Sequence, residues 1–279
     1  MVARMTLTAT QPVGDLLREW RQRRRLSQLD LACEADISTK HLSFVESGRA
    51  RPSRDMVLHL AERLEVPLRE RNILLVAAGF APVFRERKIS DPALAAQRQA
   101  IELVLKGHEP YPALAIDRHW TMVSANAIVP LLLAGIDAAL LAPPVNVLRL
   151  SLHPNGLAPR IANLAQWRAH LLERLRHQVE VSADPRLAEL LAELKALPAP
   201  SQPVHRRAAE GTQGVDSVVV PLQLATDAGM LSFFSTTTVF GTPVEITLSE
   251  LAVEAFYPAD AATSAALRAL AGASPAQHG

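Results

Sequence analysis

Short polar and basic side chains lie at the start of one predicted helix, directly after Ser38. Hydroxyl and ammonium groups such as those of Thr39, Lys40 and Ser43 can hydrogen-bond base edges in the major groove of DNA, and apolar side-chain groups can contact a thymine methyl group. Backbone N–H groups at helix starts and nearby arginine side chains suit phosphate groups. The pattern therefore predicts nucleic-acid recognition. The residues expected to contact DNA are Gln28, Ser38, Thr39, Lys40, Ser43, Phe44, Arg49, Arg51 and Arg54.

Two short helices at a steep angle are needed to position these side chains, and the same stretch has that pattern. Ser27 can cap the first helix, with Asp30 as a capping-box partner. The corner is expected at Asp36, because aspartate tolerates a left-handed backbone better than most residues. Ser38 can cap the second helix and Gly48 can end it. This arrangement is typical of a helix-turn-helix, although helix pairs around a turn also occur in all-α proteins with other functions.

The charge is distributed unevenly along the 279 residues. The whole chain has a net charge of only +1, but residues 1–90 carry +5 and residues 91–279 carry −4. The basic N-terminal part therefore suits DNA, and the acidic remainder does not. Hydrophobic residues make up 49% of the chain and charged residues 20%. This composition is typical of a globular protein, and the length suggests two domains.

An all-α bundle of five helices is predicted for the first domain, at residues 1–80. The first helix runs from about Val13 to Arg25 with its leucines and Trp20 facing inward. A turn at Pro52 leads into a fourth helix, and a fifth begins at Pro67 and ends near Gly79. Four arginines of the first helix are expected to face outward: Arg21, Arg23, Arg24 and Arg25.

Several motifs of this bundle together resemble a known family. They are an arginine-rich first helix, LSQ at the start of the second, S-x-x-x-L-S in the third, E-S-G-R-x-x-P-S after it, and a fourth helix that ends in LEVP. In these motifs the chain resembles the DNA-binding domain of the Xre/Cro/CI-like transcription regulators. It departs at Asp36, where many relatives have glycine. A regulator of this kind is expected to bind double-stranded operator DNA as a homodimer, with half-sites one helical turn apart.

The remainder of the chain is predicted to form a linker helix and an α+β domain. The linker occupies residues 81–111, with a helix from Ala93 to Lys106, and the domain occupies residues 112–265. Two short strands meet at a turn near Asp117, and helices follow at about 126–133, 159–179 and 185–197. Three antiparallel strands are predicted at 217–225, 229–240 and 246–257. The expected fold is an antiparallel sheet of about five strands with helices on one face, and the tail 266–279 is expected to fray.

Motifs throughout this domain carry a second resemblance. They are AIDRHWTMVSAN, NVLRLSLHPNGLAPRIANLAQW, VVPLQL, LSFFSTTTVFGTPVEITLSEL and FYPAD-x-x-T. In them the chain is similar to the MmyB-like, PAS-like ligand-binding domain that is found behind Xre-type helix-turn-helix modules. The resemblance implies a cavity for a fatty acid or a similar apolar acid as the effector.

Aromatic side chains and a few polar groups are candidates for such a ligand site. Each has a more ordinary alternative: Asn126 can cap a helix, His153 can belong to a turn, and the aromatic rings can be core residues. The candidates for ligand binding are Trp120, Asn126, Arg149, His153, Trp167, Phe233, Thr236 and Phe240.

Other functional classes have little support in the sequence. It contains no G-x-S-x-G, no glycine-rich phosphate loop and no H-E-x-x-H, so no enzyme, metal site or cofactor other than the effector is expected. Cys33 is the only cysteine, which excludes an internal disulfide. The N-terminus lacks an apolar signal region, and prolines interrupt the most apolar run, so a cytoplasmic protein is expected.

Two functions therefore remain open. The first is a DNA-binding transcription regulator whose C-terminal domain senses a small apolar ligand. In the second, the C-terminal half is a protein-interaction or dimerisation module without a small ligand.

Overall fold

The protein is seen in a computed structural model that describes residues 11–198, 220–240 and 245–273. The described residues form two compact units. The first comprises residues up to 87 together with the segment 245–249, and the second comprises the rest. This division differs from the predicted one, because a segment from within residues 112–265 belongs to the N-terminal unit.

Five helices form most of the first unit, as predicted. The bounds are α1 Val13–Arg23, α2 Gln28–Glu34, α3 Thr39–Glu46, α4 Arg54–Arg63 and α5 Leu68–Ala77. Both halves of the capping box between Ser27 and Asp30 are present, and the Ser38 hydroxyl accepts a hydrogen bond from the His41 N–H at 3.1 Å. Asp36 has a φ of 50° and Gly48 a φ of 72°. The predicted corner and helix ends are therefore confirmed.

Apolar side chains from all five helices close the core of this unit. Leu17, Leu31, Leu42, Leu60 and Leu74 are all fully buried. Because each helix contributes one apolar face to a common centre, burial of these faces fixes the bundle more than the propensity of any single helix does.

The prediction that Arg21 faces outward is wrong. Its residue exposure is 9%, and its guanidinium donates to both carboxylate oxygens of Glu46, at 2.7 and 2.9 Å. Glu46 is the last residue of α3, and its side chain is fully buried. A buried carboxylate needs a counter-charge and hydrogen-bond donors, and α1 supplies both through Arg21.

Two more side chains hold Glu46. Gln28 donates to its carboxylate at 2.7 Å, and Arg18 donates to its backbone carbonyl at 2.7 Å. Burial by itself would raise the pKa of the Glu46 carboxyl, but the hydrogen bonds from Arg21 and Gln28 and the charges of Arg21 and Arg18 outweigh it and lower the pKa. Residues of α1, α2 and α3 therefore meet at one ionised carboxylate.

A short segment that is distant in sequence completes the first unit. It contains the helix α12 (Ile246–Ser249). The Ile246 N–H donates to the Arg85 carbonyl at 2.9 Å, Arg87 pairs with Glu245 at 2.7 Å, and the Thr247 hydroxyl donates to the Arg87 carbonyl.

The second unit is built on one antiparallel sheet. Its strands are β1 Ala113–Ile116, β2 Met122–Ala125, β3 Leu222–Thr226, β4 Gly229–Val239 and β5 Ala252–Pro258. Their order is β2-β1-β5-β4-β3. Leu114 pairs with Glu254 and Leu222 with Phe233, so these side chains lie in register across neighbouring strands. The predicted fold class, an antiparallel five-stranded sheet with helices, is confirmed.

Helices of several lengths accompany the sheet. They are α6 Ala95–Gly107, α7 Ile128–Leu132, α8 Ala138–Leu141, α9 Val147–Leu152, α10 Leu164–Ser182, α11 Pro185–Ala196 and α13 Ala261–Ala273, with short 3-10 turns at Pro92–Leu94 and Ala158–Arg160.

Three sequence predictions for the C-terminal part of the chain need correction. Residues 246–257 do not form one strand: α12 occupies the first four, and β5 starts only at Ala252, because Ile246 and Leu248 bury their side chains on a helical turn. The tail does not fray from residue 266, because α13 continues to Ala273 and buries Leu267 completely. The helix predicted at 159–179 begins at Leu164 rather than 159, since a 3-10 turn precedes it. The start of the strand predicted at 217–225 lies outside the described residues.

Replacing Glu46 tests the buried junction. Glu46→Gln keeps the shape of the side chain but leaves the Arg21 guanidinium without a counter-charge, so we expect the free energy of unfolding of the first unit to fall by about 3–5 kcal/mol. Asp15→Asn is the matched control, because Asp15 pairs with Arg18 on the surface at 3.5 Å and its loss should cost less than about 1 kcal/mol. Hydrogen exchange of residues 11–87 in increasing urea measures both.

The pH dependence of the same unfolding free energy has a defined sign. Because the folded-state pKa of Glu46 is lowered, its contribution is present above the ordinary glutamate value of about 4.3 and is lost as the pH falls through the lower folded-state value. Equal stability losses in Glu46→Gln and Asp15→Asn near neutral pH would contradict this account.

Candidate nucleic-acid interface and apolar cavity

Helix α3 presents one polar face and one buried face. Leu42 and Val45 are buried in the core of the first unit. On the other faces Lys40 is exposed, and Thr39 and Ser43 are half-buried. Within the first unit, the first turn of α3 is therefore accessible from outside. A helix that reads base edges in the major groove must be accessible in this way.

Close backbone contact fixes the direction of α3. A Cβ atom at Gly14 would lie 2.4 Å from the carbonyl oxygen of Val45 and 2.7 Å from that of Glu46. Only glycine allows α1 to approach the last turn of α3 at this distance. Together with the Arg21–Glu46 pair, this contact anchors the far end of α3, while its first turn remains exposed.

Cationic side chains surround the exposed turn. The Lys40 ammonium lies 5.8 Å from the centre of the Phe44 ring, and the Arg49 guanidinium lies 5.9 Å from it. Such cation–π contacts hold two long side chains beside the ring. Arg51 and Arg54 are also exposed. Exposed cationic groups of this kind can neutralise DNA phosphates.

The structure places two of the basic or polar residues in unexpected contacts. The Gln28 side chain donates to Glu46, so one of its N–H groups is already used inside the unit. Arg24 donates to the backbone carbonyls of Leu64 and Glu65, at 2.8 and 3.0 Å, and closes the end of α4. Spacing within one helix could not reveal these contacts, since their partners lie in other helices.

An apolar cavity of about 110 Å³ lies inside the second unit. All five strands contribute to its wall, and α7, α9 and α10 supply much of the remainder. The wall consists of Pro112, Leu114, Trp120, Met122, Val129, Leu132, Leu133, Val147, Leu148, Leu150, Ser151, Leu157, Trp167, Leu171, Arg174, Leu222, Leu224, Phe233, Ser235, Glu254 and Phe256.

Three of the eight candidate ligand residues line this cavity: Trp120, Trp167 and Phe233. The other five lie elsewhere, each for a visible reason. Asn126 is buried, and its side chain forms hydrogen bonds with the backbone of Leu105, Tyr111 and Ala113. Arg149 forms two hydrogen bonds with Glu193, and the His153 ring accepts a hydrogen bond from the Asn155 N–H within a turn. Thr236 is exposed, and Phe240 follows β4 outside the wall.

Among the described residues of the wall, sequence reasoning missed two that are charged, Arg174 and Glu254. The guanidinium donates to Glu254 Oε2 at 3.1 Å, to Glu254 Oε1, and to the Thr237 hydroxyl at 2.6 Å. It also lies 4.6 Å from the centre of the Trp120 ring. The Glu254 side chain is only 4% exposed. One pattern pointed to it: with the period of two of a strand, Glu254 shares a face of β5 with Ala252 and Phe256, which pack against the core.

Trp120 is held in an uncommon backbone conformation. Its φ is 64°, a value that bulky side chains rarely adopt. The surrounding contacts compensate for this strain: the backbone N–H donates to the Asp117 carbonyl at 3.0 Å, and the indole N–H donates to Gln178 at 2.7 Å. Strained backbone of this kind concentrates at functional sites, which fits the place of Trp120 in the cavity wall.

No cluster of three or more His, Cys, Asp or Glu side chains that could hold a metal ion occurs among the described residues. In the same part of the chain, no helix is long and apolar enough to cross a membrane.

Unpairing the cavity carboxylate is expected to destabilise the second unit. Arg174→Met leaves Glu254 buried without its counter-charge, which should lower the free energy of unfolding by about 2–4 kcal/mol, a range reduced because the Arg174 side chain is 30% exposed. Adding Glu254→Gln removes the unpaired charge and should restore most of that loss. Urea denaturation of the single and double variants measures the difference.

The exposed Arg149–Glu193 pair provides the control. Its side chains are 46% and 45% exposed, so Arg149→Met should cost less than about 1 kcal/mol. The described pairing would be contradicted if the stability losses of the single Arg174 and Glu254 variants simply added up in the double variant.

Two protein-family models match the chain. Residues 12–74 match a helix-turn-helix domain, which covers α1 to α4 and most of α5. Residues 97–270 match the MmyB-like transcription regulator ligand binding domain, which includes the cavity and makes up more than half of the chain. A search of curated proteins with the chain found no match. The chain therefore belongs to the family of proteins that carry the MmyB-like transcription regulator ligand-binding domain.

Proposed function

We propose that this protein is a transcription regulator of the Xre type whose affinity for operator DNA is set by a small apolar ligand in the cavity of the second unit. The observation that carries the proposal is the pairing, in one chain, of an exposed and rigidly anchored α3 with an apolar cavity. The match to a helix-turn-helix domain and to a regulator ligand-binding domain supports both parts.

DNA is read by the first turn of α3. Thr39, Lys40 and Ser43 face the base edges, and Arg49, Arg51 and Arg54 contact the phosphates. The regulator acts as a homodimer, because helix-turn-helix proteins gain specificity by binding two half-sites one helical turn apart. This part would be refuted if the protein stayed strictly monomeric both when free in solution and when bound to DNA.

The ligand is apolar because nearly all of the cavity wall is apolar. The family resemblance implies a fatty acid, and its hydrocarbon tail is an apolar group of this kind. No further cofactor and no catalytic reaction are part of the proposal, and the protein acts in the cytoplasm, where its DNA is.

The connection between β4 and β5 supports a route from ligand to DNA. Both strands contribute to the cavity wall, and the chain between them includes Glu245 and α12, which belong to the first unit. A ligand that shifts β4 or β5 therefore acts on a segment that is covalently continuous with both strands. In that segment the Thr247 hydroxyl donates a hydrogen bond to the Arg87 carbonyl, and Glu245 forms a salt bridge with the Arg87 side chain.

One observation favours the second candidate function, a protein-interaction module without a small ligand. The cavity volume of about 110 Å³ lies below the range of roughly 300–1,000 Å³ that is common for ligand pockets. A small-molecule ligand must therefore be small, or the cavity must open to receive it.

Base reading by Lys40 predicts a sequence-dependent loss. With duplexes selected from a random pool, Lys40→Ala should weaken binding by about 1–3 kcal/mol and relax the preference at one base position. Arg51→Ala is the control for phosphate contact, and it should weaken binding about equally on all duplexes and reduce the salt slope. Fluorescence anisotropy titrations measure both; an equal loss on all duplexes in Lys40→Ala would move this residue to a phosphate.

Filling the cavity separates the two candidate functions. Purified protein, denatured and extracted with organic solvent, should release a co-purified apolar molecule that mass spectrometry detects. Ser235→Phe places a ring in the cavity and should abolish both this molecule and any thermal shift with added fatty acids, while DNA binding persists. An empty extract and no shift in the unaltered protein would favour the interaction module.

A further inference from the structure

The segment 245–249, which we call the insert, is held in the first unit by its backbone and by its side chains. Ile246 and Leu248 are buried. The Arg87 N–H donates to the Thr247 hydroxyl at 3.3 Å, and the same hydroxyl donates to the Arg87 carbonyl. Because one hydroxyl both accepts and donates at a single backbone residue, it ties the insert to a defined position on the chain.

The stretch of chain that the insert contacts is itself tied to α5. The Asn72 amide of α5 donates to the Phe84 carbonyl at 2.7 Å. Its oxygen accepts hydrogen bonds from the backbone N–H groups of Val83 and Phe84, at 3.0 and 3.1 Å. Helix α5 packs in the same apolar core as α3. Residues 83–87 therefore connect the insert to the bundle that positions α3.

On its other side the insert is joined to a strand of the cavity wall. Only Glu250 and Leu251 separate it from Ala252, the first residue of β5. Two residues span at most about 7 Å when fully extended, and Leu251 is buried. Further along β5, Glu254 and Phe256 line the cavity. A ligand that displaces β5 therefore acts on the insert through a very short and anchored connection.

A second link runs from the cavity to the same place. Trp120 lines the cavity, and Arg118 lies two residues before it. Arg118 pairs with Glu250 at 3.5 Å and with Asp184 at 3.4 Å, and the side chains of both acids are mostly buried, where salt screens an ion pair less. The Asp117 carboxylate accepts two backbone N–H groups of this turn, each at 2.8 Å. A shift of Trp120 is therefore transmitted through a rigid turn to Glu250, directly beside the insert.

The insert is also not held as tightly as its burial alone suggests. Glu245 Oε1 bonds Arg87 at 2.7 Å, but its Oε2 is buried without a hydrogen-bond partner among the described residues. A buried acceptor that lacks a partner costs desolvation free energy, which release of the segment regains. Coupling between distant sites requires an element with two arrangements that both sites bias. The insert has these properties.

We propose that the insert is the element that couples ligand binding to DNA binding, and that Thr247 and Arg118 transmit the signal. A ligand in the cavity changes how the insert is held on residues 83–87, and α5 passes the change to the bundle. Neither Thr247 nor Arg118 belongs to the cavity wall or to the residues expected to contact DNA. The inference rests on the proposed ligand-sensing function and adds the residues that carry its signal.

The test measures a coupling ratio, which is the dissociation constant of a DNA duplex with saturating octanoate divided by that without it. The duplex is one selected from a random pool. A buried water needs about 10–15 Å³, so a cavity of about 110 Å³ holds roughly seven to eleven non-hydrogen atoms, and octanoate is a fatty acid of this size. The octanoate dissociation constant, with and without the duplex, must give the same ratio.

For the full-length unaltered protein, fluorescence anisotropy should give a ratio that differs from one by at least roughly five-fold. Thr247→Val keeps the size of the side chain but removes both hydrogen bonds to Arg87. It should bring the ratio to within about two-fold of one, while octanoate and the duplex each still bind. Thr247→Ser retains the hydroxyl and should restore the ratio.

Arg118→Met should reduce the ratio in the same way, because it removes the ion pair with Glu250. Each variant has a matched control. Thr238→Val removes the same hydroxyl from an exposed residue of β4 outside the cavity wall, and Arg149→Met breaks an exposed ion pair. Both controls should leave the ratio unchanged.

An unchanged ratio in the folded Thr247→Val and Arg118→Met variants overturns the inference, as does an equal loss of coupling in the controls. Should one of the two variants not fold, the other decides. The proposed ligand-sensing function fails separately: it is refuted, and the inference with it, if neither octanoate nor dodecanoate binds the unaltered protein or if bound fatty acid leaves its affinity for the duplex unchanged.

Discussion

A buried carboxylate paired with an arginine organises each of the two units. In the first unit, Glu46 gathers Arg21, Arg18 and Gln28 from α1 and α2 at the last residue of α3. In the second, Glu254 holds Arg174 of α10 against β5. Because a buried charge is tolerated only with its partner in place, each pair allows very few arrangements of the elements that carry it.

The two pairs have different consequences because their surroundings differ. Glu46 lies at the far end of α3 from the residues that face DNA, so the pair and the close contact at Gly14 fix the direction of the helix without occupying its reading surface. Glu254 lies in a cavity wall, so its pair brings two charged groups to that wall and also joins α10 to the sheet. The first pair is a scaffold, and the second also places a salt bridge in the wall of the cavity.

Much of the fold could be predicted because its signals are local. The capping residues Ser27 and Ser38, the left-handed corner at Asp36 and the apolar spacing in α1 to α5 all act within a few residues of their own positions. Strand alternation predicted β1, β2 and β4. The same local logic failed at Ile246 and Leu248, whose spacing suits a strand but whose side chains are buried on a helical turn, and at Leu267, which is buried in α13. In these places burial against distant segments overrode local preference.

By itself, the sequence determined the helix-turn-helix with its exposed polar turn, the antiparallel sheet, and three aromatic residues of the cavity wall. Only the tertiary structure decided that Arg21 is buried, that Asn126, Arg149 and His153 serve the scaffold, and that Arg174 and Glu254 pair in the cavity wall. The physical reason is the range of the interactions. Caps and periodicity act over three or four residues, whereas Arg21 and Glu46 are 25 residues apart and Arg174 and Glu254 are 80 apart. A charge finds such a partner only once the chain has folded.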